Sequence, residues 1–360
     1  MKSSAAPIVV VAGHICLDII PAFQARPGCG PTLFVPGDLV KIGPAVIATG
    51  GAVSNTGLAL HRLGVPTRLM GKVGDDLFGR AIMDLVRGVA PELAAGMIVA
   101  PRETSSYSVV LSPPGTDRMF LHCPGANDTF GADDVAAAQL AGARLFHFGY
   151  PPLMRRMYRH DGRELVRLFR RVKRCGLTTS LDMSMPDPRS EAGQVDWTRV
   201  LRRVLPWVDL FLPSRDEIEL MLGRKKSLRA LADQLRAWGA GTVGLKLGDQ
   251  GLYVRTAQRE LLAPCYAVNV AGATGAGDGT IAGFLAGWLR GLPLEQTLTT
   301  AGAVGACCCE APDATSGIRS WSATQRRIAH GGRRRPVALS LPGWRWDTAQ
   351  QLWLGPHDRA

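Results

Sequence analysis

The sequence lacks the patterns that identify several large classes of protein. Its eight cysteines include no C-x-x-C pair, and three of them are consecutive at 307–309 in an alanine-rich helical pattern. This spacing suits neither a zinc site nor a disulfide framework, so we expect reduced, buried thiols. No G-x-x-x-x-G-K-[ST] motif occurs, which argues against a Walker-type nucleotide-binding loop.

Long apolar runs are also absent. No run approaches the ~20 residues that a membrane-spanning helix needs. The short run Pro7–Val11 is followed at once by polar residues, unlike a secretory signal. Hydrophobic residues make up 46% and charged residues 20% of the 360 residues, which is ordinary for a folded α/β domain. We therefore expect a cytoplasmic protein that does not bind a membrane.

The net charge of +12 raises the question of nucleic acid. Most of the excess is arginine at 155–174, 199–203 and 333–335. In the first of these stretches the charges repeat at helical spacing beside apolar residues, as on the solvent face of an amphipathic helix. No recognition module accompanies them, so we expect no nucleic-acid partner. A positive field would also attract anionic nucleotides.

From about residue 135 the sequence alternates between strand and helix patterns. Strands are predicted at 144–148, 177–182, 208–212, 242–246 and 267–270. Helices are predicted at 153–175, 196–205, 214–222, 227–238, 278–290 and 294–309. This alternation predicts a doubly wound α/β fold, with a mostly parallel sheet and helices on both faces. Ligands of such folds bind beyond the carboxyl ends of the strands.

The two ends of the sequence differ from this pattern. Near the N-terminus we predict a strand at 7–12, a helix at 54–63, a strand at 67–71 and a helix at 77–87. Residues 105–111 and 118–123 alternate like strands around Pro113-Pro114-Gly115, which predicts a hairpin. Residues 321–360 are rich in Arg, Trp and Pro, and we interpret them as an irregular extension of a domain that spans 1–320.

The most informative segment is the glycine-rich stretch 271–278 before an apolar helix. Gly275, Ala276 and Gly277 leave their backbone N–H groups unobstructed, and such groups form an anion site at a helix N-terminus. Asp278 would project towards the bound anion from the first helical turn. A carboxylate has a purpose there if it accepts a proton from a hydroxyl group that attacks phosphorus.

Two other interpretations of this segment stay open. It could be a tight turn before a buried helix, with Asp278 as a capping carboxylate. Residues 277–282 also match the dinucleotide-binding pattern G-x-G-x-x-A, but late in the chain and without the acidic residue expected ~20 residues on. Glycines recur every four residues in the following helix, which predicts that another helix or strand packs very close to it.

Several motifs together resemble the ribokinase-like (PfkB) carbohydrate kinase family. The segments that carry the resemblance, in the order the family has them, are Gly13 with Asp18, 50–57, 73–79, 125–127 and 274–278. The last is similar to the family's C-terminal signature and 50–57 to its N-terminal signature. The likeness runs from about residue 7 to 320.

The resemblance implies an ATP-dependent kinase that uses Mg²⁺ and phosphorylates a hydroxyl of a sugar or sugar-like molecule. Asp278 would be the general base, and the Gly275, Ala276 and Gly277 amides would form the anion hole. The residues implied for the acceptor are Asp18, Gly50, Gly51 and Asn55. Those implied for the nucleotide are Lys246, Gly248, Thr274, Asp313 and Gly317. Taken alone, Asn55 could be a helix cap, and 313–317 could be a simple turn.

The resemblance also implies a metal-supporting residue and a lid. Glu217 matches the family's Asn-x-x-Glu segment, in which the glutamate supports magnesium through water; the alternative is a surface helix glutamate. The hairpin at 105–123 and part of 20–48 would form a lid that excludes water from the acceptor. A homodimer through the lid strands is expected on family grounds alone.

Five positions depart from the family pattern. Gly272-Ala273 replaces an Asp-Thr pair that helps to build a monovalent-cation site, which speaks against activation by potassium. Serine stands for asparagine at Ser184 and Ser214, and Cys16 replaces a common polar residue. Two alternatives follow: a nucleoside kinase of the same fold, and a non-catalytic sugar- or nucleotide-binding regulatory protein. The retained Asp278 argues against the second.

Overall fold

A computed structural model describes residues 9–23, 36, 37, 39–113 and 119–359. Its strands are β1 (Val9–Gly13), β2 (Cys16–Pro21), β3 (Ala45–Gly50), β4 (Thr67–Met70), β5 (Lys72–Gly74), β6 (Ile98–Ala100), β7 (Tyr107–Leu111), β8 (Met119–Cys123), β9 (Leu145–Gly149), β10 (Thr178–Leu181), β11 (Leu210–Phe211), β12 (Thr242–Lys246), β13 (Leu252–Arg255), β14 (Glu260–Ala263), β15 (Arg345–Asp347) and β16 (Leu352–Leu354). Its α-helices are α1 (Ala52–Arg62), α2 (Leu77–Val89), α3 (Ala137–Leu140), α4 (Arg155–Arg174), α5 (Trp197–Val204), α6 (Arg215–Leu222), α7 (Leu228–Ala237), α8 (Ala276–Leu289), α9 (Leu294–Cys309) and α10 (Trp321–Ala329).

A ten-stranded central sheet confirms the predicted α/β fold. Its order is β15-β16-β14-β13-β12-β11-β10-β9-β1-β4. The six strands from β4 to β12 in this order run parallel, and the remaining four are antiparallel. Side chains on the two faces of this sheet belong to two separate apolar cores, as expected for a sheet that is covered on both faces.

Successive side chains of β1 point alternately into the two cores. Val9 and Val11 belong to the core under α1, α2, α8 and α9. Val10 and Ala12 belong to the core under α4, α5, α6 and α7. Helices therefore cover both faces, as the sequence predicts, and α8 and α9 share one face with α1.

A second, four-stranded sheet has the order β3-β2-β7-β8. Strands β7 and β8 pair antiparallel, which confirms the hairpin predicted from 105–123. The turn residues Pro114 and Gly115 lie outside the described residues, as do 24–35 within the predicted lid segment. We call β2, β3, β7 and β8 the lid sheet.

Three sequence predictions need correction. Residues 267–270 form no strand; they follow an isolated bridge at Tyr266 and run on irregularly into the glycine-rich loop. Helix α4 is interrupted by non-helical backbone at 159–162. The tail is not irregular, because it contains α10 and the β15–β16 hairpin, and β16 pairs with β14.

No disulfide joins the cysteines within the described ranges. Among the helices of those ranges, none has both the length and the apolarity that a bilayer crossing requires.

Candidate active site

The glycine-rich loop enters helix α8 through a left-handed residue. Gly275 has φ +73°, and a Cβ there would lie 2.5 Å from the Ala314 Cβ and 2.8 Å from its Cα. Only glycine fits both the backbone conformation and the space. The N-cap residue Gly275 offers no side-chain cap to the first turn of α8. Ala276 N donates to the Ala273 carbonyl at 3.3 Å, so the N–H groups that could meet an anion directly are those of Gly277 and Asp278. The anion site stays a prediction.

Asp278 is buried in the first turn of α8, with 2% of its surface exposed. Its Oδ2 accepts hydrogen bonds from Asn55 Nδ2 at 3.0 Å and from the Tyr150 hydroxyl at 2.8 Å. Its Oδ1 accepts from Thr56 Oγ1 at 3.2 Å. These donors fix the orientation of the carboxylate. The capping interpretation of Asp278 is wrong, because its oxygens bond to side chains of other elements.

Asn55 comes from helix α1, one turn after a second constrained glycine. Gly51 is the N-cap of α1 with φ +87°, and a Cβ there would lie 2.5 Å from His14 Nδ1. Asn55 therefore lies within the helix, and the interpretation of Asn55 as a cap is wrong. Gly50 packs equally tightly, since its Cβ would lie 2.2 Å from an Asp18 oxygen.

Tyr150 and Thr56 are contacts of Asp278 that the sequence interpretation missed. Tyr150 follows β9 with φ +66°, a left-handed conformation that is uncommon outside glycine. Burial, with Asp278 adding to it, raises the pKa of the Tyr150 hydroxyl well above its usual range, so it stays a donor. Its place directly after a central strand was the available signal.

A cavity of about 430 Å³ opens beside the glycine-rich loop. We call the part lined by Gly275, Ala276, Gly277, Asp278 and Lys246 the anion end. We call the apolar or small part lined by Pro264, Tyr266, Val268, Gly302 and Ala306 the apolar end, and Gly305 adjoins Ala276 and Thr280 beside the anion end. An anion site beside a slot between small residues suits a nucleotide.

A buried ion pair stands at the anion end of this cavity. Lys246 Nζ lies 2.7 Å from Asp182 Oδ1, and Asp182 has no exposed surface. Burial alone would lower the pKa of Lys246, but Asp182, Glu217 and Asp278 together raise it, so the ammonium stays charged. Asp182 Oδ2 and Ser184 Oγ, both buried, have no hydrogen-bond partner within the described part of the chain.

Glu217 lines the same cavity from the start of α6. It forms a capping box with Ser214: its Oε2 accepts from Ser214 N at 2.7 Å, and Ser214 Oγ accepts from Glu217 N at 3.2 Å. One carboxylate thus fixes the helix start and faces the cavity. The half-buried Glu217 in a capping box differs from a surface helix glutamate. Its support of a metal ion stays a prediction.

A second cavity of about 470 Å³ lies between the lid sheet and the 271–274 loop. Asp18, Thr49 and Ser112 line its lid side. Ala273 lines both cavities, so the second cavity adjoins the first. Burial raises the pKa of Asp18 to about 6, against hydrogen bonds from Cys16 and Ser108 that lower it.

The structure separates the residues predicted for the nucleotide. Lys246 and Gly248 line the first cavity. Thr274 and Asp313 line the second, and Asp313 Oδ1 closes its own turn by accepting from Thr315 N and Ser316 N at 2.8 and 2.7 Å. Gly317 packs on α9, where a Cβ would lie 2.1 Å from the Cys307 carbonyl oxygen. Thr274, Asp313 and Gly317 therefore do not line the first cavity.

Comparison with known protein families gives a match over most of the chain. Residues 8–321 match the pfkB family of carbohydrate kinases. An uncharacterized sugar kinase of Archaeoglobus fulgidus is 28% identical over 72% of this chain and 98% of its own length. The 2-dehydro-3-deoxygluconokinase of Bacillus subtilis is 25% identical over 74% of this chain and 82% of its own.

Solved structures share the fold. A ribokinase from Thermotoga maritima has a TM-score of 0.72 at 16% identity, covering 90% of this chain and 99% of its own. A protein from E. coli in complex with ATP and Mg²⁺ has a TM-score of 0.69 at 21% identity, covering 90% of this chain and 99% of its own. At such identities the likeness is one of fold, and the chemistry rests on the geometry of the two cavities.

Proposed function

The chain belongs to the pfkB family of carbohydrate kinases, and on that premise we propose that it transfers the terminal phosphoryl group of ATP to a hydroxyl group of a sugar, with Asp278 as general base. The observation that carries the proposal is the position of Asp278. It is a buried carboxylate beside an uncapped helix N-terminus, with a nucleotide-sized cavity on one side and a polar cavity adjoining it.

In the proposed transfer, one bond to phosphorus forms as another breaks, and a residue of this chain takes up the proton. The acceptor hydroxyl loses its proton to Asp278 as its oxygen bonds to the γ-phosphorus, and the bond from that phosphorus to the bridging oxygen breaks to release ADP. The amides of Gly275, Ala276 and Gly277 stabilise the charge on the transferring oxygens. Because the transition state is loose, an ordinary carboxylate is a sufficient base.

Mg²⁺ accompanies ATP in this proposal. Magnesium keeps several waters and binds through one or two carboxylates and the nucleotide phosphates, not through a protein cage. The unpartnered Oδ2 of Asp182 and the nearby carboxylate of Glu217 fit that mode of binding. The ion would neutralise phosphate charge, and Lys246 would add a fixed positive charge at the same end. No monovalent cation is assigned.

The acceptor would lie in the second cavity. Asp18, Thr49 and Ser112 offer acceptors and hydroxyl donors suited to a polyol, and Asn55 connects this side to the base. The lid sheet would cover it and exclude water. A sugar is proposed first, and a nucleoside is the alternative acceptor, because a cytidine kinase of Thermococcus kodakarensis is also a relative (25% identical).

ADP release across a panel of sugars and nucleosides tests this function, with Asp278→Asn as the key variant. Loss of a general base costs about 10²- to 10⁴-fold in kcat. Asp84→Asn, an exposed aspartate of α2, is the matched control and should keep full turnover. Turnover that survives Asp278→Asn would overturn the assignment of the base. Silence of the wild type on the whole panel, with ATP still bound, would favour a regulatory binder.

We also propose that the lid sheet pairs two copies of the chain. Val46, Ile47, Met119, Phe120 and Leu121 expose 43–60% of their surface on β3 and β8. These two strands are the edges of the lid sheet. Exposed apolar side chains on sheet edges favour an interface, and a two-fold axis lets one edge meet its own copy. Phe120→Glu should shift the mass measured by light scattering from dimer to monomer, whereas Leu220→Glu on α6 should not. A monomeric wild type would contradict the pairing.

We propose the cytoplasm as the compartment of the reaction, because it supplies ATP.

A further inference from the structure

A C-terminal segment borders the first cavity although it follows the residues that match the family. The family match ends at residue 321, yet Arg335 is one of the residues that line the cavity. We propose that the segment 333–338 completes the nucleotide site and that Arg335 contacts the bound nucleoside triphosphate. The proposal rests on the proposed function, since it concerns the nucleotide of the same reaction.

The segment is held by backbone pairing against residues 265–267. Ala267 N donates to the Arg333 carbonyl at 2.8 Å, and Arg335 N donates to the Cys265 carbonyl at 2.8 Å. Tyr266 and Arg334 form an antiparallel bridge between these two bonds. Further along, Ala338 N donates to Gln250 Oε1 at 2.6 Å. The segment thus has a fixed register on the cavity wall and is not a loose tail.

Arg334 fixes the aromatic residue at the apolar end of the cavity. Its guanidinium lies 3.6 Å from the centroid of the Tyr266 ring, and its Nη1 donates to the Pro264 carbonyl at 3.2 Å. The other constraint is Gly332, where a Cβ would lie 2.8 Å from Tyr266 Cδ1. Tyr266 therefore keeps its place beside the small residues Gly302 and Ala306, where a flat base would fit.

Arg335 is the residue of this segment that can reach the ligand. Its Nη2 pairs with Asp249 Oδ2 at 3.1 Å, and the two side chains are 44% and 57% exposed. Such an exposed pair contributes little stability, so the guanidinium can turn to another partner at small cost. Asp249 and Lys246 line the same cavity as Arg335, so the guanidinium stands at the cavity wall. A guanidinium there donates to phosphate or ribose oxygens.

Isothermal titration calorimetry with a non-hydrolysable ATP analogue and Mg²⁺ tests the proposal on the full chain. Arg335→Ala should weaken binding about 3- to 10-fold, as expected for one partly exposed charged contact. Arg326→Ala removes an equal charge from an exposed position on α10, which lines neither of the two cavities, and should bind like the wild type. Equal affinity of Arg335→Ala and wild type would overturn this proposal alone. A wild type that binds no nucleotide would overturn it together with the proposed function.

Hydrogen–deuterium exchange of the wild type gives a test that does not depend on a variant folding. The analogue should slow exchange in peptides that cover 333–338 as well as in those that cover 272–277. Slowing in the glycine-rich loop without any change at 333–338 would contradict a contact with the C-terminal segment.

Discussion

At the scale of single residues, Tyr150 is held in a conformation that it does not favour. Its φ of +66° is left-handed, which costs roughly 1–2 kcal/mol for a residue with a Cβ. Pro151 follows it, and a proline disfavours helical backbone in the residue before it. In this conformation the Tyr150 hydroxyl lies 2.8 Å from Asp278 Oδ2 and donates a hydrogen bond to it. Strain retained beside a candidate base points to a positioning role.

Tyr150→Phe removes that hydroxyl and keeps the ring. We expect kcat to fall about 10-fold, the equivalent of one hydrogen bond to a charged group, with little change in the KM for ATP. Steady-state kinetics would measure both constants. Tyr253→Phe is the matched control, because it loses a buried bond of 3.0 Å to Glu260 far from the site. It should lower stability and leave kcat unchanged; an equal fall in both variants would contradict a specific role of Tyr150.

Asp18 gives the site a pH dependence of its own. Burial raises its pKa from 3.8 to about 6, so below about pH 6 it is protonated in the folded chain. A protonated carboxyl accepts fewer hydroxyl hydrogen bonds, so the KM for the acceptor should rise as the pH falls below 6. A profile of kcat/KM against pH would show this effect as a fall below pH 6. Asp18→Asn should remove the fall. If the fall persists in that variant, another group causes it.

The raised pKa of Asp18 also makes the free energy of unfolding depend on pH, in the direction opposite to acceptor binding. Because the folded state holds the proton more tightly than the unfolded chain, Asp18 lowers the free energy of unfolding as the pH rises from 3.8 to about 6. Above that range its contribution is constant. Stability and acceptor affinity therefore respond to this residue in opposite directions.

At the scale of elements, the contact between α8 and α9 depends on missing side chains. A Cβ at Gly283 would lie 2.8 Å from the Ala301 Cα and 2.9 Å from the Thr300 carbonyl oxygen. At Gly287 it would lie 3.2 Å from the Thr297 Cα. The two helices meet backbone to backbone, which confirms the close packing predicted from the glycine repeat. Gly291 lies outside this contact, because nothing stands within 4 Å of its Cβ position.

Gly283→Ala should therefore destabilise the protein although alanine is the better helix former. Overpacking costs about 1–3 kcal/mol, which exceeds the gain of roughly 1 kcal/mol from propensity. Gly88→Ala in α2 is the control: nothing lies within 4 Å of its Cβ position, so it should stabilise slightly. Urea unfolding would measure both. A neutral Gly283→Ala would show that α9 can move away.

The sequence predicted these elements unevenly, for physical reasons. The strand predicted at 242–246 has those bounds in the structure, because glycines at 239, 241 and 248 bound a short segment that contains Val243 and Leu245. The strand predicted at 267–270 is wrong, since the isolated bridge at Tyr266 replaces ladder pairing. The strands β15 and β16 have three residues each; β16 pairs with β14 and β15 with β16, which no local pattern reports.

Site residues divided in the same way. The place of Asp278 in the first turn of α8, directly after Gly275–Gly277, could be predicted, because it depends on neighbours in sequence. Tyr150 could not, because it reaches Asp278 from 128 positions earlier in the chain. Arg335 could not, because it reaches the cavity wall from the C-terminal tail. Asp313 was assigned to the nucleotide from sequence, but its turn faces the second cavity.

At the scale of the whole molecule, one buried carboxylate connects the tail to the sheet. Glu260 is fully buried in β14, and Arg229 of α7 donates to its two oxygens at 3.0 and 2.9 Å. Tail residues complete the cluster: Gly355 N donates to the Glu260 carbonyl at 2.7 Å, and His357 N donates to its Oε2 at 3.3 Å. The tail is thus part of the folded unit.

Arg229→Ala should lower the free energy of unfolding by about 3 kcal/mol, since removal of one partner leaves a buried charge that is only partly compensated. Arg87→Ala breaks an exposed pair with Asp84, 54% and 76% exposed, and should change it by less than about 1 kcal/mol. Urea denaturation of both variants provides the comparison. Equal small effects would mean that the other donors to Glu260 suffice.

The backbone contact of α8 with α9 couples Asp278 to the wall of the first cavity. Helix α8 carries Asp278, and α9 carries the small residues Gly302, Gly305 and Ala306 that line the cavity. Because no side chain separates the helices at Gly283, we expect them to move as one rigid body. If Asp278 is the base that we propose, its distance from the nucleotide would be fixed before binding, so little entropy would be lost in aligning the reacting groups. Adaptation to acceptors of different size would then fall to the lid sheet.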